Sequence, residues 1–138
     1  MDEPQVANDE PPLSGGRLLS AISNSIVAII REHYGRGPMK AKTYVLDDLV
    51  VVVMRGSGFT ALEQTIMDDD GADRVVAMRH EFQRLMAGRY TDAIAGLTGR
   101  EVVAFLSQAH VEPDITIETF LMDGPLAGFG AVEVTEPE

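Results

Sequence analysis

The sequence of 138 residues has no cysteine and no tryptophan, and it has only 11 basic residues against 22 acidic ones. The absence of cysteine excludes a disulfide framework, a Cys-ligated zinc or iron–sulfur site and a thiol nucleophile. The shortage of bases argues against a nucleic-acid-binding protein, because contact with phosphates requires a basic surface. The longest apolar run, Leu49–Met54, is far shorter than the roughly 20 residues that cross a bilayer. Because the N-terminus is also acidic, unlike a secretory signal, we expect a cytoplasmic protein.

The negative charge is concentrated at the two ends of the chain. Residues 1–13 contain four acids and no base, and residues 123–138 contain another four acids and no base. The segment 14–122 then keeps 14 acids and 11 bases, a net charge of only −3. This distribution predicts one α+β domain at 14–122 between two disordered acidic tails.

Apolar residues at three- and four-residue spacing predict two long helices. The first covers about 15–34, with Ser14 as N-cap, and ends at Gly35, a residue suited to a left-handed C-terminal cap. The second extends from Asp73 to just before Gly99. Its inward-facing positions are expected to be the apolar residues Val75, Met78, Phe82, Leu85, Met86, Ala93, Ile94 and Leu97.

A capping box predicts a short helix between these two. Thr60 is the expected N-cap, and Glu63 is the residue whose side chain reaches back to it. Leu62 and Ile66 are expected to face inward. Three aspartates at 68–70 would oppose the negative end of the helix dipole, so the helix should end there. We expect these aspartates to be solvated or capping, and not to form a metal site.

Four stretches of β-branched and apolar residues predict two hairpins. The predicted strands are 43–46, 49–54, 102–106 and 115–121. The second strand is apolar at every position and is expected to be central and covered on both faces. In the last strand, Ile115, Ile117 and Leu121 alternate with Thr116 and Glu118, a pattern typical of a sheet with one partly exposed face. The order α-ββ-α-α-ββ predicts a four-stranded, mainly antiparallel sheet with helices packed on one face.

Three of the eleven bases lie within residues 36–42, at the joint between the first helix and the first strand. Glycines expose backbone N–H groups, and an arginine can bind a carboxylate, carbonate or phosphate bidentately. The spacing is not that of a P-loop, and a glycine cap with bases complementing the helix C-terminus remains an alternative. A second Gly-Arg pair joins helix to strand at 99–100. The predicted anion- or partner-binding residues are Tyr34, Gly35, Arg36, Gly37, Lys40, Lys42, Arg100 and His110.

Support for catalysis is weak. The three histidines lack metal-ligand spacing, and no serine lies in a GxSxG elbow. We therefore predict no metal and no cofactor, name no catalytic residue, and favour a non-enzymatic role.

Two separated strings resemble the MpsC-like family, a bacterial domain family. The first comprises Tyr34–Pro38 with 40–53, and the second comprises Leu97–Ser107 with His110 and the Pro113-Asp114 pair. The resemblance spans about residues 16–122. The family is associated with a cation-translocating, membrane-potential-generating system, and relatives are linked to genes for inorganic-carbon uptake. The resemblance implies a small cytosolic accessory or regulatory component, bound to the cytosolic face of a membrane transport complex through a protein partner. It carries over no catalytic residue.

Two functions follow from these observations. The first is the accessory component of a membrane ion or inorganic-carbon translocating system. The alternative is a small-anion or nucleotide-binding domain, or an enzyme, in which the Gly-Arg loops hold an anion and His110 or His33 acts as acid or base. A homodimer is expected in either case, because a small fold has sheet edges to protect.

Overall fold

The computed structural model describes residues 13–35, 37–38, 40–56 and 59–129. Three helices and four strands lie in these ranges, in the predicted order. They are α1 (Gly15–Tyr34), β1 (Lys40–Leu46), β2 (Leu49–Arg55), α2 (Ala61–Asp68), α3 (Ala72–Thr98), β3 (Val102–His110) and β4 (Ile115–Met122). The predicted α+β class is confirmed, and β1 and β3 are longer than their apolar cores indicated.

The four strands form one antiparallel sheet in the order β1-β2-β4-β3. β2 is central, as predicted. Its side chains Val50, Val52 and Met54 are buried, whereas the three apolar side chains that alternate with them are only partly covered. The prediction that β2 is covered on both faces is therefore wrong, because the helices pack on one side of the sheet.

The core lies between that side of the sheet and the two long helices. From α1 it receives one side chain per turn: Leu18, Ile22, Ile26 and Ile30. Gly35 ends α1 in the left-handed conformation, with φ of 85°, and its N–H donates to the Arg31 carbonyl at 3.2 Å. The predicted start at Ser14 also holds, although the Ser14 side chain makes no capping hydrogen bond.

β4 presents its more polar side to the core. Thr116, Glu118 and Phe120 are buried beneath the helices, while Ile117 is exposed on the other side. One face of β4 is thus partly exposed, as the alternation indicated, and that face is the one with the isoleucines.

The buried stripe of α3 differs from its apolar pattern. Met78 and Leu85 are exposed, so their predicted inward positions are wrong, and Arg79, Gln83 and Tyr90 are buried. These polar groups are paired inside the protein: the Tyr90 hydroxyl donates to Gln83 Oε1 at 2.7 Å. Hydrophobicity does not show that a polar residue is buried with a hydrogen-bond partner. The buried stripe of α3 could therefore not be located from its apolar positions alone.

Packing continues past the end of β4. Leu126 is buried in the core, and its N–H donates to the Asp47 carbonyl at 3.2 Å. The tails predicted at 1–13 and 123–138 otherwise lie mostly outside the described residues.

Candidate functional site

Glu63 anchors a charge network where α1, α2, α3 and the β3–β4 turn meet. The predicted capping box is present: Thr60 Oγ1 accepts from the Glu63 N–H at 3.1 Å, and Glu63 Oε1 accepts from the Thr60 N–H at 2.9 Å. Yet Glu63 is only 1% exposed, whereas Leu62 is 61% exposed. The prediction that Leu62 faces inward is therefore wrong, and the buried residue of α2 is its capping glutamate.

Arg79 supplies the cation of this network. Its Nε and Nη2 donate to the two carboxylate oxygens of Glu63, both at 3.0 Å, and its Nη1 donates to Asp114 Oδ1 at 2.9 Å. The guanidinium stacks on Phe59, with 4.7 Å from Cζ to the ring centroid. The Tyr34 hydroxyl also donates to Glu63. One arginine thus joins α3 to α2 and to the turn after β3.

The pKa shifts in this network are those expected of buried groups that are hydrogen-bonded to one another. Burial alone would raise the pKa of Glu63, but hydrogen bonds from Arg79, Tyr34 and Thr60 outweigh burial and lower that pKa. Burial, reinforced by the Glu63 carboxylate, raises the pKa of Tyr34 to about 12. Burial would lower the pKa of Arg79, but its carboxylate partners raise it instead. Near neutral pH, none of the three is ready to exchange a proton with a substrate.

A small cavity adjoins Arg79. Its volume is about 30 Å³, and its lining includes Tyr34, Phe82 and Gln83. That volume holds roughly two water molecules, whereas small-molecule sites usually enclose several hundred Å³. A larger depression of about 480 Å³ near His80 and Ser107 is more open to solvent than the cavity beside Arg79. The network is therefore suited to fixing the fold.

A second buried carboxylate lies in the middle of the sheet. Glu118 is fully buried opposite Ser107 in the neighbouring strand, and among the described residues its carboxylate oxygens accept no hydrogen bond of normal geometry. Burial raises the pKa of Glu118 to about 7, and the Ser107 hydroxyl opposes this shift only in part. Glu118 was expected on one face of the last strand, and no role was predicted for it.

Those residues predicted to bind an anion or a partner that the structure describes do not form a single site. Tyr34 belongs to the Glu63 network, and Gly35 caps α1. Gly37 lies against Arg31, where a Cβ would come within 2.7 Å of the arginine Cγ. Arg36, the arginine predicted to bind an anion bidentately, lies outside the described residues. Anion binding at this joint stays a prediction.

The other predicted bases separate along the sheet. Lys40 and Lys42 project from β1, and His110 ends β3 with its Nδ1 2.8 Å from the Pro113 carbonyl. These three residues lie near one end of the sheet. Arg100 lies at the opposite end of β3, where its Nε donates to Asp123 Oδ1 at 3.0 Å. The structure therefore does not gather Arg100 with the other bases.

The side of the sheet turned away from the helices is largely apolar and uncovered; we call it the open face. Strand register places its side chains in four rows. The rows are Leu46-Leu49-Leu121-Ala104, Tyr44-Val51-Thr119-Leu106, Lys42-Val53-Ile117-Gln108 and Lys40-Arg55-Ile115-His110. Leu46 is 58% exposed and Leu106 61% exposed. Lys42 Nζ lies 5.4 Å from the centre of the Tyr44 ring, so the two side chains share this face.

Within the ranges that the structure covers, no helix combines the length and hydrophobicity needed to cross a bilayer. The same ranges contain no group of three or more histidine, aspartate or glutamate side chains placed to hold a metal ion.

Comparison with protein families gives one match that covers most of the chain. The family model described as "Na+-translocating membrane potential-generating system (MpsC)" matches residues 14–124. Neither the comparison with curated proteins nor that with solved structures returned a match.

Proposed function

The chain belongs to the MpsC family, and from that premise we propose that it is a non-enzymatic accessory component of a Na+-translocating membrane potential-generating system. In this proposal the protein is soluble, acts at the cytoplasmic side of the membrane, and works by binding a protein partner through the open face.

The open face is the observation that supports this proposal. A sheet normally buries each apolar face against another layer, and contiguous exposed apolar patches of several hundred Å² mark interaction sites. Here helices cover one face, while Leu46, Leu106 and Ile117 on the other remain exposed. Their burial against a partner would be the main source of binding energy.

The internal charges favour binding over catalysis. Arg79 is saturated by two carboxylates, and the cavity beside it has room only for water-sized occupants. Glu63 and Tyr34 are held in the protonation states that suit the ion pair. None of these groups is arranged to receive a substrate.

The proposal predicts that the cell requires an exposed leucine on the open face and does not require an exposed leucine on α3. In a strain lacking the gene, Leu106→Glu should fail to restore the Na+-dependent membrane potential, because the carboxylate replaces one of the most exposed apolar side chains of the open face. Leu85→Glu, at an exposed site on α3, should restore it as the wild type does. A voltage-sensitive dye measures the potential, and immunoblotting with circular dichroism verifies that both variants are present and folded. Full restoration by Leu106→Glu would contradict the proposed function.

The alternative of a small-ligand-binding domain makes a different prediction. A ligand of the native state at 100 times its Kd raises the free energy of unfolding by about 2.7 kcal/mol. We expect bicarbonate, phosphate and nucleotides at millimolar concentration to leave the melting temperature of the protein unchanged. Thermal unfolding with each compound, using chloride at equal ionic strength as the control, measures this. A shift of several degrees with any of them would favour the alternative.

A further inference from the structure

The open face is charged oppositely at its two ends. One end, the basic end, carries Lys40, Lys42, Arg55 and His110, with Glu112 as the neighbouring exposed acid. The other end, the acidic end, is bordered by Asp47, Asp48, Glu101 and Asp123, with Arg100 paired to Asp123. Apolar rows lie between them, and the two ends are separated by the length of the strands, roughly 20 Å.

We propose that the open face binds a second copy of this chain, related by a two-fold axis that lies in the interface and runs across the strands. The inference rests on the proposed function, because it takes the open face as the association surface and identifies the protein partner at that face as a second copy of the chain. Such an axis reverses the strand direction of the second copy. The basic end of each copy then lies over the acidic end of the other, and the apolar rows meet in the middle.

The charge pattern selects this arrangement. A two-fold axis along the strands would place basic end over basic end and acidic end over acidic end, which like-charge repulsion disfavours. A two-fold interface must also be self-complementary, because the same patch serves both copies. A face with one sign of charge could not meet that condition, whereas the open face carries bases at one end and is bordered by acids at the other.

The size of the face is sufficient. Four strands at about 4.8 Å spacing, each about seven residues long at 3.3 Å per residue, span roughly 19 by 23 Å. Two such faces, with the added area of their side chains, bury about 1,000 Å², which is the minimum for a biological interface and the size of a weak or transient one. Aligned packing of two sheets is a common way to build a β-sandwich core.

Analytical ultracentrifugation of the full chain tests the proposal. We expect the wild type to dimerise at a protein concentration of about 100 µM, and Leu106→Glu to weaken the dimer by about tenfold or more because it buries a charge. Leu85→Glu, on the outer side of α3, should dimerise as the wild type does. Circular dichroism verifies that the variants remain folded.

Charge reversal tests the orientation. Lys40→Glu with Arg55→Glu makes both ends acidic, and Asp48→Lys with Glu101→Lys makes both ends basic. Each double variant alone should remain monomeric, and an equimolar mixture should form a heterodimer. An unrelated partner at this face would not produce this rescue.

Two outcomes would overturn the dimer. One is a wild type that is monomeric at about 100 µM, and the other is a dimer that neither Leu106→Glu nor the charge variants affect. If the wild type is monomeric while Leu106→Glu still fails to restore the membrane potential, a different protein covers the open face. The proposed function would then stand without the dimer.

Discussion

Replacing Arg79 with alanine is expected to lower the free energy of unfolding by about 3–5 kcal/mol. The change leaves the carboxylate of Glu63 almost fully buried without its cation, and it also removes the link to Asp114. Urea denaturation followed by circular dichroism measures the loss. Arg84→Ala is the matched control on the same helix. Its pair with Glu81, 3.1 Å apart, is exposed, so the control should cost less than about 1 kcal/mol.

A double variant separates the buried charge from the lost packing. Glu63→Leu with Arg79→Leu removes both charges, and its cost should be clearly smaller than the sum of the two single losses, because neither charge is left unpaired. Equal stability losses for Arg79→Ala and Arg84→Ala would show that the Glu63 network does not hold the fold together.

Replacing Glu118 with glutamine is expected to stabilise the protein at high pH, by up to about 3 kcal/mol. The pKa of Glu118 is about 7 in the folded protein against 4.5 for an ordinary glutamate. Since the folded state favours the protonated form, the wild type should lose stability as pH rises from about 4.5 to about 7 and keep the full loss above that range. The amide has no charge to bury at any pH. Tyr90 on α3, which is sensitive to the charge of Glu118, stays protonated because burial and that charge raise its pKa.

The measurement is urea denaturation of both proteins at about pH 5 and about pH 8. The stability advantage of Glu118→Gln should be small at the lower pH and large at the higher one. Glu32→Gln, an exposed position on α1, should change stability little at either pH. A Glu118→Gln protein that is no more stable than the wild type at the higher pH would contradict this interpretation of the buried carboxylate.

The order of the helices and strands, and the ends of the helices, could be predicted from local sequence signals. Gly35 and Gly99 both end helices in the left-handed conformation, and Thr60 with Glu63 forms the expected capping box. These signals act within a few residues, so a single sequence contains them completely. The antiparallel arrangement followed from the two short hairpin turns.

The contacts that define the site depend on residues distant in sequence. Glu63 was predicted as the capping-box partner of Thr60, but no local sequence signal indicates its pairing with Arg79, 16 positions away. Arg79 also occupies a turn of α3 where periodicity assigned Met78 to the core. In α3 the buried stripe is shifted by one position because its buried polar groups have partners, and hydrophobicity alone cannot detect that shift.

The open face could not be predicted from hydrophobicity either. The continuous apolar run of β2 indicated burial on both faces, because a strand inside a fold and a strand awaiting a partner have the same composition. The pattern of β4 did not show which face is covered, since its charged residue Glu118 faces the core and its apolar residue Ile117 faces outward. Only the placement of α1 and α3 on one side showed which face remained uncovered.

Complementation by two leucine variants tests the central claim most directly, since that claim is action through the open face. We predict that cells carrying Leu106→Glu keep the defect of the deletion strain in Na+-dependent membrane potential, while cells carrying Leu85→Glu regain the wild-type value. Equal recovery by both variants, at equal protein levels, would contradict the claim.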